Sequence, residues 1–222
     1  MVKLAGEEKW IPVTLIDPPR RPVRDVKRSS RDEMEESIKE DGMYHRIVVR
    51  PVPGGRYECA AGYHRYTIAI RQAADTGDNM VPCTVRTLSD EEAPLLSIAE
   101  NIQRNTHLDP IAEGEVFCEN VEKGWTVERI AKKIGKSKNL HYVYNRIRVY
   151  EQLHPKLQNQ VSKGHLSFEN AKAIAEQPMA KQLEIARKLK HYPKVNPANL
   201  SNLINTSCTH GCPTHCPPVN LE

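Results

Sequence analysis

The spacing of apolar residues changes character about halfway along the chain. In the first hundred residues, short β-prone runs alternate with stretches of helical period. Trp10 to Ile16 reads as a strand stopped by Asp17-Pro18-Pro19. Ser30-Arg31-Asp32-Glu33 has the form of a capping box. Met34, Ile38 and Met43 follow at helical spacing, with Asp41-Gly42 as the stop. Ile47 to Val52 and Arg56 to Ala60 predict two strands joined by a turn at Pro53-Gly54-Gly55. Gly62 ends the second, and Tyr63 to Ala74 has helical period. Val81 to Leu88 predicts another strand, and Ser89-x-x-Glu92 is a second capping box opening a helix through Leu95, Leu96, Ile98 and Ala99. After Asp109-Pro110, an N-cap followed by proline at the first helical position, strand signals stop. Helices are expected near 110–123, 126–134, 142–153, 155–163, 167–175 and 178–190. The expected fold class is α+β: a small mixed α/β domain over 1–107, an all-α domain over 108–192, and a Pro/Cys-rich tail over 193–222.

Composition narrows the function classes. Of 222 residues, 39% are hydrophobic and 27% charged, and there are only two Phe and two Trp, which fits small aliphatic cores. The longest apolar runs fall far short of the roughly 20 residues a bilayer span needs. The opening Met1-Val2-Lys3-Leu4-Ala5-Gly6-Glu7 lacks the apolar segment of a secretory signal. A cytoplasmic protein without membrane contact is expected. The formal charge of +4 is modest, but Val121 to Tyr150 holds eight basic residues against Glu122 and Glu128, while the remainder is slightly acidic. A basic block in such a chain is the footprint of a nucleic-acid surface, with a solvated helix face as the alternative. Cys59, Cys83 and Cys118 sit among apolar neighbours and read as small buried hydrophobes. Cys208, Cys212 and Cys216 crowd together with His210 and His215, but their spacing matches no C-x2-C pair, and no metal ligand set is assigned.

Inside the basic block, Thr126 to Ser137 has the features of the first helix and turn of a helix-turn-helix. Thr126 caps, Ile130 and Ile134 face a core, Ala131 is small enough for a close second helix, and Gly135 supplies the positive φ of the turn. Lys136, Ser137, Lys138, Tyr142, Asn145, Arg146 and Arg148, together with Tyr144, are side chains suited to phosphates and base edges. The stretch between Ser137 and Asn145 is about two residues longer than a tight motif needs, so Lys138 to His141 is expected to extend the turn.

Two further segments carry chemistry. Ala61-Gly62-Tyr63-His64-Arg65-Tyr66 joins a strand to a helix, where backbone N–H groups and the helix N-terminus can face an anion, and His64 and Arg65 add phosphate donors. Glu100-Asn101-Ile102-Gln103-Arg104 gathers polar groups at the end of an otherwise apolar helix. Ordinary chain reversal and a solvated helix end are the plain alternatives.

Taken in order, Arg24, Ser37-Ile38-Lys39-Glu40-Asp41-Gly42, Gly62-x-x-Arg65-x-x-x-Ala69, Glu100-Asn101-Ile102-Gln103-Arg104, Leu108-Asp109-Pro110, Gly135-Lys136-Ser137 and Gly164-His165-Leu166-Ser167 resemble the ParB partition family. The likeness runs from about Ile11 to Ala175. It implies an N-terminal domain of the ParB/sulfiredoxin type that binds CTP with magnesium, and a helix-turn-helix that binds a centromere-like DNA site. It further implies a homodimer that closes as a clamp on DNA, a ParA-type ATPase as partner, and association with the nucleoid or a plasmid. By resemblance, Arg24 ends the cytidine-side motif, and Gly62, Tyr63, His64, Arg65 and Tyr66 form the first triphosphate loop. Glu100, Asn101 and Arg104 form the second, with Glu100 orienting water or magnesium for slow CTP hydrolysis and Arg104 neutralising phosphate. On this reading Arg65→Ala abolishes nucleotide binding and Arg146→Ala abolishes DNA binding.

The chain departs from that pattern in its first loop. Family members usually read Gly-Glu-Arg-Arg there, whereas Gly62-Tyr63-His64-Arg65 is similar to the loops of sulfiredoxins and ParB-like serine kinases, which use adenine nucleotides. ATP or ADP therefore stands beside CTP. Sulfiredoxin chemistry is disfavoured because Tyr63 occupies the position of the catalytic cysteine. The rival readings are a small-molecule kinase or nucleotide hydrolase, with Glu33 and Glu36 as candidate bases, and a DNA-binding transcriptional regulator.

Overall fold

The computed structural model describes residues 6–20, 28–77, 79–106 and 108–189, with the side chains of the first helix described from residue 32 onward. Arg24 and the cysteine-rich tail lie outside the described residues. The chain divides into two compact units, 1–151 and 152–222.

The first unit is built on a five-stranded mixed sheet. In chain order its strands are β1 (Glu7–Pro12), β2 (Ile16–Asp17), β3 (Ile47–Val52), β4 (Arg56–Ala61) and β5 (Met80–Val85), arranged β1-β5-β3-β4-β2. β1 pairs antiparallel with β5, and β2 parallel with β4. The run expected as one strand from Trp10 to Ile16 is thus divided between the two edges of the sheet. Pro12 lacks the N–H a ladder needs, a single 3-10 turn over Val13–Leu15 follows, and pairing resumes on the opposite edge. The acidic and basic start of β1, with Glu7, Glu8 and Lys9 exposed, suits an edge strand.

Helices cover both faces of the sheet. Ile47, Val49, Cys59, Val81 and Cys83 point to one side, where α2 (Tyr63–Thr76) adds Tyr66 and Ala69. Val48 and its register partner Ala61 lie on the other face with Ala93 of α3 (Glu92–Gln103), and Ala60, the extra residue of a bulge opposite Val48 and Val49, joins that cluster. The strand period of two puts neighbouring residues on opposite faces, so a single apolar run such as Ile47-Val48-Val49 serves both layers. α1 (Arg28–Asp41) begins two residues before the expected cap, which puts Ser30 inside the first turn. The second capping box is formed: Ser89 Oγ accepts from the Glu92 N–H, and the Ser89 N–H donates to Glu92 Oε2, each at 3.3 Å.

α3 has a second partner. Its Leu95, Ile98 and Ala99 share a core with Val116 and Phe117 of α4 (Pro110–Glu122), Ile130 and Ala131 of α5 (Val127–Lys133) and Val143 of α6 (Leu140–Gln152). The change from mixed to all-helical sequence therefore does not coincide with a gap in packing. In the second unit, α7 (Pro155–Ser162), α8 (Phe168–Ala175) and α9 (Met179–Leu189) bury Leu157, Ile174 and Ile185. Gln182 is buried there with its amide satisfied, donating to Gln152 and Gln177 carbonyls and accepting from the His154 N–H.

A buried ion pair lies in the sheet itself. Arg50 is 4% exposed, and its Nε and Nη2 donate to Glu58 Oε2 at 3.0 and 2.6 Å. Removing one member of a buried pair strands the other charge and costs about 3–5 kcal/mol, while replacing both with apolar groups costs far less. Arg50→Met is expected to lower the urea-unfolding free energy by about that amount, and the double variant Arg50→Met/Glu58→Leu to recover most of it. Equal losses in the single and double variants would show that packing, not charge, governs this position.

Candidate functional site

The first candidate site lies where β4 hands over to α2. Gly62 caps α2 in the left-handed region, with φ of 93°, and offers no side-chain cap. A Cβ at Gly62 would meet Arg65 Nη2 at 2.9 Å, so both the backbone and the neighbouring guanidinium require glycine. The first-turn amides of a helix have no partner within it, and this turn lines a cleft. Cys59, Ala60 and Ala61 make its floor, and Ser97, Glu100, Asn101 and Arg104 at the end of α3 make the facing wall. Two segments 35 residues apart in sequence, both singled out for phosphate chemistry, thus border one cavity. Pro19 and Met34 complete the rim.

The charges in this cleft are already paired with one another. Arg65 is buried, and its Nη1 donates to the carbonyls of His45 and Arg46 at 2.6 and 2.7 Å. Its Nη2 donates to Glu100 Oε1 at 2.9 Å, and Arg104 Nη2 reaches the same oxygen at 2.7 Å. Burial pulls the Arg65 pKa down, and Glu100 pulls it back. An arginine starts so high that it stays cationic at neutral pH. Arg65 is therefore a wall element that fixes Glu100 and the 45–46 loop, while Arg104 is the more exposed of the two guanidiniums. Asn101 is held too: its Nδ2 donates to the Ser97 carbonyl, and its Oδ1 accepts from Thr106. Tyr63 and His64 line the cleft half-buried.

Tyr66, expected in the triphosphate loop, is a core residue. Its ring packs beneath the sheet and its hydroxyl donates to the Ile16 carbonyl at 2.9 Å. A helix spaced from Tyr63 turns the fourth residue inward, which the motif alone did not reveal. Cys59, Ser97, Pro19 and Met34 were missed because they bring shape rather than charge. Burial pushes the Cys59 thiol up to about 12, which favours the protonated form over the thiolate at neutral pH.

The second candidate site is the helix-turn-helix. Thr126 Oγ1 accepts from the Arg129 N–H, Gly135 turns the chain at φ of 77°, and α6 starts at Leu140. The turn is longer than a tight motif, as expected, but Leu140 and His141 already belong to the helix. Asn139 Oδ1 accepts from the Tyr142 N–H at its start.

The faces of α6 divide the expected DNA-contacting residues. Tyr142 and Arg146 turn inward to α4, where Glu113 has no exposed surface. The Tyr142 hydroxyl donates to Glu113 Oε1 at 2.5 Å, and Arg146 Nε donates to Oε2 at 2.6 Å. The Arg146 guanidinium also stacks on the Tyr142 ring, 3.3 Å from its centre. These two side chains are therefore committed to α4. Arg146→Ala would strand a buried carboxylate and damage the fold, so it is not the clean DNA-binding variant the sequence suggested. Lys136 Nζ also lies over the Tyr142 ring, 5.2 Å from its centre. Ser137 and Lys138 are exposed in the turn. His141, Tyr144, Asn145 and Arg148 follow at i, i+3, i+4 and i+7, which forms one stripe of the helix. His141 and Tyr144 are exposed, and Asn145 and Arg148 partly so. The signal for this division was present: Tyr142, Arg146 and Tyr150 recur every four residues, and Glu113 stands three and four residues before the buried Val116 and Phe117.

Among the described residues no group of three or more His, Cys, Asp or Glu is placed to hold a metal ion, and no helix is long and apolar enough to cross a membrane.

Comparison with known proteins gives a consistent result along the whole described chain. The ParB N-terminal domain matches residues 4–102, and the ParB HTH domain matches residues 106–194. The chromosome-partitioning protein Spo0J of Thermus thermophilus is 34% identical over 165 residues, which is 74% of this chain and 58% of that protein. The chromosome-partitioning protein ParB of Caulobacter vibrioides is 32% identical over 176 residues, 77% of this chain and 55% of that one. The chain thus spans little more than half the length of these curated relatives. Among solved structures, the C-terminally truncated ParB of Caulobacter crescentus, complexed to the centromeric parS site, matches with a TM-score of 0.56 at 26% identity. That match covers 88% of this chain and 96% of the other. With both domains matched in order, and the cleft and helix-turn-helix placed where those domains lie, the chain belongs to the ParB family.

Proposed function

We propose that this chain is a nucleotide-dependent DNA-binding protein of chromosome or plasmid partition, which reads a centromere-like site with α6 and binds a nucleoside triphosphate, CTP in the first place, in the α2–α3 cleft. The observation that carries the reading is the convergence of residues 62–65 and 100–104 on one cavity, in the same compact unit as the helix-turn-helix. Partition relatives at a third identity, and a relative solved on parS DNA, support a DNA site of the same kind.

The cleft fits a polyphosphate. The first turn of α2, His64 and Arg104 bring N–H groups to both walls, which suits several phosphate oxygens better than a single anion. Magnesium bound with a triphosphate takes most of its oxygens from phosphate and water and needs one or two carboxylates. Glu100 is the carboxylate available for it, with Asn101 beside it. Glu100 would have to exchange one guanidinium contact for that role, and Arg104, the more exposed, is the one positioned to swing to phosphate. Slow hydrolysis, dimeric clamp closure, engagement of a ParA-type ATPase and residence on the nucleoid belong to the same proposal.

Against the kinase reading, α1 turns Met34 to the cleft, while Glu33 and Glu36 are exposed and outside its lining. That removes the two candidate bases. The Tyr63-His64 loop still favours a test of adenine nucleotides.

Isothermal titration with CTP, ATP and ADP in magnesium buffer separates these readings. Selective CTP binding is expected, strengthened by a parS duplex. Binding of ATP indifferent to DNA would overturn the partition reading. Arg104→Ala is expected to weaken triphosphate binding at least tenfold, about 1.4 kcal/mol, with little change in melting temperature. Arg65→Ala should instead lower stability by about 2–3 kcal/mol, because its hydrogen bonds are made to the protein. For DNA, Lys138→Ala is expected to reduce the salt slope of duplex binding by about one without changing site preference. A change in preference would place Lys138 at a base edge.

A further inference from the structure

We infer that Glu113 and Gly114 of α4 form a seat that fixes the rotation and depth of α6, so that they act as positioning residues for DNA reading although they face away from DNA. This rests on the proposal that α6 is the reading helix.

The geometry is specific on both counts. Rotation is set by two anchors one turn apart on α6. The Tyr142 hydroxyl takes one oxygen of the buried Glu113 carboxylate, and Arg146 Nε takes the other. Arg146 Nη1 also donates to the Tyr142 carbonyl at 3.1 Å, and its guanidinium lies flat on the Tyr142 ring, so the two anchors hold each other. A carboxylate with both oxygens engaged by two side chains of one helix permits little rotation of that helix about its axis. Depth is set by Gly114. A Cβ built there would lie 2.5 Å from the Arg146 carbonyl oxygen and 2.8 Å from Tyr150 Cβ, so the α6 backbone rests on the missing side chain. Burial pushes the Glu113 pKa up, opposed by Arg146 and Tyr142. That opposition is why the carboxylate needs both partners to remain where it is.

The consequence for reading follows from the helical wheel. At roughly 100° per residue, His141, Tyr144, Asn145 and Arg148 centre about 130° around the helix from Tyr142 and Arg146. Any rotation allowed by a loosened seat carries the whole reading stripe around the axis, whereas contacts to phosphates from the exposed turn residues tolerate such movement. Base-edge hydrogen bonds depend on position and angle, so site preference suffers before general DNA affinity does.

The test compares wild type, Tyr142→Phe, Glu113→Gln and Gly114→Ala on two duplexes of equal length, a parS duplex and its scrambled sequence, with melting temperature measured alongside. Tyr142→Phe keeps the ring and the stacking and removes one hydroxyl. It is expected to melt within a few degrees of wild type, bind the scrambled duplex within twofold, and lose about tenfold in preference for parS, the scale of one mismatched base pair. Gly114→Ala adds bulk without removing any anchor, and should lose preference more severely if it folds. Unchanged preference in folded Tyr142→Phe and Glu113→Gln would overturn the seat. A parallel fall on both duplexes, tracking melting temperature, would overturn it as well, by reducing the network to a stability element. A wild type that does not prefer parS over the scramble would overturn the DNA-reading proposal first, and the seat with it.

Discussion

α3 has to be buried on two sides at once, and the rest of the unit is arranged around that demand. Ala93 meets Val48, Ala60 and Ala61 on the sheet, while Leu95, Ile98 and Ala99 complete the core with α4, α5 and α6. A helix with a single apolar stripe covers only one neighbour. Ala93, Ala60 and Ala61 let the helix lie close to the sheet, where Leu96 also packs, and Leu95 and Ile98 on the other side recruit the helical layer. Because the middle of α3 is consumed by these contacts, its charged groups are confined to its ends. The C-terminal end supplies Glu100, Asn101 and Arg104 to the cleft. At the N-terminal end, Asp90 meets Arg20 and Arg50, Glu91 meets Lys123, and Glu92 meets Lys133. One helix thereby touches the cleft, the sheet and the basic helices.

Three buried or half-buried glutamates, each matched to an arginine, hold the joints that apolar packing leaves loosely specified. Glu58 and Arg50 tie the sheet to the loop before α3, Glu100 and Arg65 tie α3 to α2 and the 45–46 loop, and Glu113 and Arg146 tie α4 to α6. Such pairs are weak sources of net stability, since desolvation offsets most of the attraction. Their directional demands are strong, because a guanidinium fork fits a carboxylate in few orientations. The placement of these pairs at the cleft wall and beneath α6, the proposed reading helix, fits a protein in which orientation matters more than additional stability.

Much of the fold was legible because its elements obey local rules. The helix caps at Asp109, Thr126 and Ser167 were formed as their side chains predict, each accepting from a first-turn amide. β3, β4 and the Gly54-Gly55 turn fell where alternation and glycine placed them. What escaped was non-local. Nothing in Trp10 to Ile16 reveals that its two ends pair on opposite edges of a sheet. The cleft was legible as two charged segments, but not as a site in which Arg65 is committed to Glu100 and to two carbonyls, since those partners come from 19 to 35 residues away. Tyr142 and Arg146 looked like DNA contacts because composition ranks a side chain by type, whereas the period of the helix decides which way it faces.

On the proposed function, a ligand in the cleft would be felt at α6 by way of α3. A triphosphate that draws Arg104 away from Glu100 changes the charge balance at the last turn of α3, while Arg65 keeps the carboxylate anchored to α2. α3 is held along its length by close packing in two cores, and dense interiors pass on small displacements instead of absorbing them. A shift at one end is then available to the helices that share Leu95 and Ile98, including α5 and, through Val143, α6. For such a shift to favour one DNA-binding state, the ligand must interact differently with the two arrangements. On the proposed function, exchange of Arg104 between carboxylate and phosphate would supply that difference, at a group that is half-exposed and bonded to a single carboxylate oxygen. The coupling would therefore be sensitive to the length and charge of residue 104 and insensitive to the buried arginine beside it, which has no freedom to move.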